Sequence, residues 1–191
     1  MQIKFTLKEM VDSFIKERRQ DCINYLEELS QKGKEKSYDE FIKVALTSYP
    51  EHKWYVERFG NEKAFREAAI LLKKKEKEIL SSEIFDDLIK IINDLKIVNF
   101  GELSKYDTAL AIGAYIGKLP DKIFMHAGPK KAAKFIYGNS YNDKVRYLIR
   151  PNRIQYINVE DLPEEFNELK ESPYLIEDCL CYIYSTYLRW G

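Results

Sequence analysis

The chain offers one imidazole in a setting where it could move protons. His126 stands between the apolar run Ile123-Phe124-Met125 and the turn-forming pair Gly128-Pro129, and its ordinary titration range lies near neutrality, so it is the candidate general base. Catalysis needs a second group, and none is adjacent in sequence, which leaves a histidine hydrogen-bonded in place as the plainer reading. Asp86-Asp87 and Glu177-Asp178 are carboxylate pairs in sequence only, because neighbouring helical residues point apart. The cysteines, Cys22, Cys179 and Cys181, are odd in number, and the last two sit two apart on an expected helix. They read as reduced, small core-forming residues. With only His52 and His126 and no C-x-x-C spacing, a Cys/His zinc site has too few ligands. No nucleophile elbow, P-loop or dinucleotide fingerprint occurs, so the sequence assigns neither metal nor cofactor.

Anion binding is the second available chemistry. Gly101 lies among Val98, Phe100 and Leu103, just ahead of a helix start marked by Ser104 and Asp107, where glycine permits close approach and helix-end amides attract negative charge. A further start at Gly128-Pro129 brings Lys130, Lys131 and Lys134 beside another helix N-terminus. Formal net charge is zero over the chain, yet it is unevenly spread. Between Lys118 and Arg153 nine basic residues stand against Asp121 and Asp143, whereas from Ile154 onward eight acidic residues stand against Lys170 and Arg189. Two such blocks either neutralise each other by packing or leave the basic one available to an anionic partner.

Helices must position these groups. Thr6 and Glu9 form a capping box opening a long amphipathic helix through Leu7, Met10, Val11, Phe14, Ile15, Cys22, Leu26 and Leu29, ended by Gly33. Ser37 and Glu40 repeat the box for a helix through Phe41 and Leu46 that stops before Tyr49-Pro50. A short helix is expected over His52–Phe59, closed by Gly60-Asn61, then one over Glu62–Glu78 whose final lysines complement its negative end. Ser82 is the expected N-cap of a helix through Phe85, Leu88 and Ile92. Small residues at Ala109, Gly113 and Ala114 predict close approach of a neighbouring helix, and Leu119–Met125 predicts a brief helical extension. Helices from Gly128 to Gly138 and from Ser172-Pro173 through Tyr187 complete the series, the last carrying Tyr182, Tyr184 and Trp190 as either core closure or a stacking platform. Tyr147–Ile157 is strand-like but contains Pro151, so at most an edge pairing is expected there. The fold class is therefore mainly α: a single-domain, irregular multi-helix bundle over residues 1–191 with at most a minor β pairing near 147–157.

At 191 residues, 45% hydrophobic and 14% aromatic, the chain has enough apolar surface to offset its ordering entropy, which excludes disorder. Its most apolar stretch, Ala109–Ile116, is far shorter than the roughly 18 residues of a membrane span. Charges at Lys4, Lys8, Glu9 and Asp12 interrupt what would be a signal-peptide core, so a cytoplasmic protein without a membrane partner is expected.

The segment Ile97-Val98-Asn99-Phe100-Gly101-Glu102-Leu103-Ser104 through Asp107–Gly113, followed by Pro120–Phe124 and Lys130–Gly138, resembles the helix-hairpin-helix region of base-excision DNA glycosylases. The resemblance covers residues 97–138, within an element of about 86–138. It implies an all-helical fold whose hairpin holds the DNA backbone through main-chain amides, followed by a segment with a catalytic aspartate. The family hairpin has two glycines spaced by one residue, whereas here Gly101 precedes Glu102, and the segment corresponding to the aspartate reads Phe124-Met125-His126-Ala127-Gly128. Lys105 is the lysine near the start of the second helix. The expectation is DNA binding without glycosylase chemistry, with Gly101, Ser104, Lys130, Lys131 and Lys134 as contacts. The alternatives are a protein-interaction or regulatory domain without catalysis, and an enzyme centred on His126.

Overall fold

The computed structural model describes residues 5–47, 62–148 and 154–189. The expected helix stop at Tyr49-Pro50, the helix over His52–Phe59, the break at Gly60-Asn61, Pro151 and Trp190 lie outside them. The protein is mainly α-helical with one small antiparallel sheet. Packing divides it into two compact units, one of Met1–Tyr25 with Asp121–Gly191 and one of Leu26–Pro120. No composition shift marks this division, because the first unit is assembled from the two ends of the chain.

In the first unit, α1 (Leu7–Glu17) begins at the expected capping box. Thr6 Oγ1 accepts from the Glu9 amide at 3.2 Å, and the Glu9 carboxylate accepts from the Thr6 amide at 2.7 Å. The single long helix expected as far as Gly33 is instead two. The chain leaves helical geometry at Arg18 and resumes as α2 (Arg19–Glu35). The apolar stripe serves two cores, with Met10, Val11 and Phe14 buried in the first unit and Leu26, Leu29 and Gly33 in the second. Gly33 does not end the helix either; it lies inside α2 against the Tyr115 ring, whose space a side chain there would take.

The second unit continues with α3 (Tyr38–Thr47), α4 (Glu62–Lys74), α5 (Glu76–Leu80), α6 (Phe85–Asn93) and α7 (Glu102–Ile116). Ser37 and Glu40 form the expected box. The N-cap of α6 is Ile84, not Ser82, whose hydroxyl instead donates to the Glu78 carbonyl at 3.2 Å and closes the turn after α5. Of the lysine run, Lys73 pairs with Asp39 at 2.6 Å and Lys75 with Glu78 at 2.7 Å. Helix α7 is buried on all sides from Tyr106 to Ala114, as a helix without a polar face must be. It packs on α6 and α3, and the expected close approach occurs at Gly113: a Cβ there would lie 3.2 Å from the Phe85 ring and would collide with the Lys118 carbonyl.

The first unit resumes with β1 (Ile123–Phe124), α8 (Ala127–Tyr137), α9 (Tyr141–Lys144), β2 (Arg146–Tyr147), β3 (Gln155–Ile157), two 3₁₀ turns and α10 (Pro173–Ile183), which runs into a π turn at Tyr184–Leu188. The strands are antiparallel in the order β1-β3-β2, with Ile123 opposite Ile157 and Arg146 opposite Tyr156. The β pairing expected near 147–157 is thus present. Leu119–Met125, however, carries a strand where a brief helix was expected, since β1 finds its partner more than thirty residues further on. Helix α10 packs against α1, α8, β1 and the 3₁₀ turn at Glu164–Leu169, and so forms the centre of this unit. Among the described residues no helix is long and apolar enough to cross a membrane.

Replacing Gly113 with Ala should lower unfolding free energy by about 1–3 kcal/mol through overpacking between α6 and α7. A urea titration checks this, the midpoint falling while the slope stays unchanged.

Candidate functional site

The sheet delivers His126 to its place. Ile123 and Phe124 pair with β3, the Met125 amide donates to the Gln155 carbonyl at 2.8 Å, and the next residue, His126, becomes the N-cap of α8. The helix therefore starts ahead of Gly128-Pro129, and Pro129 occupies its first turn, where a missing amide hydrogen costs nothing. The imidazole does not cap the helix. It turns toward α10, where Nε2 lies 2.6 Å from Glu177 Oε1. The two side chains are 5% and 3% exposed, so this is a core pair closed to solvent. The half-buried Cys181, one turn along α10, donates its thiol to the same Glu177 oxygen at 3.4 Å. Gly128 makes this approach possible, since a Cβ there would come within 3.0 Å of Cys181 Sγ.

A carboxylate in an apolar core is costly unless paired, and His126 supplies the pairing. The partner that the sequence did not reveal is thus Glu177, half of a carboxylate pair whose members do diverge. Glu177 faces α8, while Asp178 faces Cys22, whose thiol is pushed far above its ordinary range by burial first and by that carboxylate second. Burial does the same to Cys179. All three cysteines are free thiols. Among the described residues no group of three or more His, Cys, Asp and Glu could hold a metal ion.

The basic and acidic blocks meet at Asp161. Asp161 receives Lys144 at 3.1 Å and Arg146 at 3.3 Å. The lysines of α8 are arranged differently. Lys131 Nζ donates to the Tyr184 hydroxyl at 2.8 Å and lies 4.7 Å from the centre of that ring, and Lys134 Nζ lies 5.6 Å from the centre of the Tyr141 ring. Among the described residues neither these two nor the half-buried Lys130 forms an ion pair with a carboxylate. Lys131, Lys134 and Phe135 are exposed together on the outer face of α8, three and four residues apart. In the sequence no acidic residue occurs from Lys122 to Asn142, and the nearest one to follow is Asp143 on α9.

The other anion-friendly start, in the second unit, is built differently from expectation. Gly101 is the N-cap of α7 and is exposed, with nothing within 4 Å of where its Cβ would be. Ser104 is not the helix start. It lies in the first turn, buried, with its carbonyl accepting from the Thr108 hydroxyl at 2.7 Å. Glu102 occupies the first helical position. Lys105 donates to the Asn93 carbonyl at 3.0 Å, so it caps the negative end of α6, and burial lowers its pKa. The C-terminal tyrosines are also engaged. Tyr182 donates to Glu17 at 2.8 Å and packs on Phe14, and Tyr187 packs on Phe5 at 5.0 Å.

No protein-family model matches the chain, and no curated protein or solved structure matches it. The fold presents a core His–Glu pair that joins α8 to α10, and on the outer side of α8 the exposed residues Lys131, Lys134 and Phe135.

Removing either partner of the buried pair should be expensive. His126→Ala and Glu177→Ala are each expected to destabilise by about 3–5 kcal/mol, and the double variant by less than the sum, as chemical denaturation of the four proteins would show. The raised thiol pKa values make Cys22 and Cys179 protonated at pH 8. Both should resist a disulfide reagent in the native protein and react at once in denaturant. Rapid native labelling of Cys179 would place it outside the core, and rapid labelling of the half-buried Cys22 would show its thiol open to solvent.

Proposed function

We propose that the protein binds nucleic acid, DNA foremost, through the outer face of α8. The observation that carries this reading is the state of the α8 lysines. Elsewhere in the basic block the Lys144 ammonium and the Arg146 guanidinium sit on Asp161 and Lys122 sits on Asp121, whereas Lys131 and Lys134 lie over tyrosine rings with no carboxylate partner among the described residues. An ammonium has three donors, and the Tyr184 hydroxyl occupies only one from Lys131. The remainder are free for phosphate, and the ring holds the side chain in place beforehand. Cations interleaved with aromatics on one surface are the footprint of backbone-tracking proteins.

The open helix start at Gly101, with the hairpin resemblance around it, gives a second place for a phosphate at main-chain amides, weakened by the adjoining Glu102. Glycosylase chemistry is not part of the reading, since His126 and Glu177 are shut in the core. A cytoplasmic location is, in keeping with three cysteines held as thiols.

Fluorescence anisotropy against labelled DNA over a range of salt concentrations tests this. Wild-type binding should weaken linearly on a log–log plot, and replacing Lys130, Lys131 and Lys134 with Gln should flatten the slope by about two to three units. Because these side chains carry little of the core, the variant's unfolding midpoint should move little. Absence of any binding at low salt would overturn the proposal.

A further inference from the structure

Resting on the reading above, we infer that the α8 face is built for single-stranded rather than duplex nucleic acid, with Phe135 as the ring on which a base stacks. Phe135 is 45% exposed although phenylalanine has no polar tip to solvate. It sits four residues after Lys131, so its ring shares a helix face with that ammonium group, and Lys134, three residues after Lys131, flanks the same face. The Tyr184 ring, already under Lys131, extends the same surface. A duplex offers this face phosphates and groove edges but no free base faces, because its bases are stacked on one another. A single strand offers phosphates and unstacked bases together, and a base on Phe135 would cover apolar ring surface that is otherwise in water. Charge complementarity favours an anionic strand, since Lys131 and Lys134 have no carboxylate partner among the described residues.

Anisotropy titrations with fluorescein-labelled oligothymidylate of about 20 nucleotides, and with a duplex of equal length, separate the possibilities. The strand should bind more tightly than the duplex. Phe135→Ala and Phe135→Leu should each weaken binding to the strand by about fivefold or more and leave the duplex unchanged, while Phe135→Tyr keeps a ring and keeps affinity. Leu retains apolar bulk at the site, so it serves if the Ala variant folds poorly, with circular dichroism as the control. Binding of the strand that is indifferent to Ala and Leu, or a loss shared equally by duplex, overturns this inference and leaves DNA binding standing. Failure of wild-type protein to bind either probe overturns the proposed function and this inference with it.

Discussion

Helix α10 carries an ionisable side chain into the centre of the first unit, and the arrangement around it follows from that constraint. Leu175, Ile176, Cys179, Leu180 and Ile183 are buried on the same helix as Glu177, so the carboxylate has no route to water and must be paired inside. His126 can pair with it only if the chain enters α8 at a defined place and angle. The three short strands fix that place by holding Ile123–Met125 immediately beforehand, and Gly128 permits the helix to come close enough. A small sheet in a helical protein thus acts here as the positioning device for one histidine.

Locking α8 on its inner side determines what its outer side shows. With Pro129, Ala132 and Ala133 turned inward, helical geometry leaves Lys131, Lys134 and Phe135 outside. The electrostatics of the block are then divided by position. Lys144 and Arg146 share the single carboxylate of Asp161, and the lysines of α8 rest on aromatic rings that stabilise a cation without cancelling its charge. The second unit solves a different problem, the burial of a helix with no polar face. Close packing of α7 on α6 at Gly113, and the Lys105 ammonium on the Asn93 carbonyl at the end of α6, hold those two helices together.

Local signals in the sequence determined the helical class, both capping boxes, Pro173 at the first position of α10, the small-residue contact of α7 and the weak strand near residue 155, because each depends on residues within about one helical turn or on the run of apolar side chains. The same signals determined that the α8 lysines share a face. Tertiary structure decided the rest. The break at Arg18 and the place of Gly33 inside α2 depend on which core each turn packs into, and the strand at Ile123 depends on a partner more than thirty residues away. Glu177 is fifty-one residues from His126, and no pattern within either segment shows that one carboxylate of an adjacent pair turns inward to meet an imidazole. Which lysines find carboxylates and which find rings was likewise set by packing, since charge in a sequence is a sum over residues whereas pairing is a matter of distance.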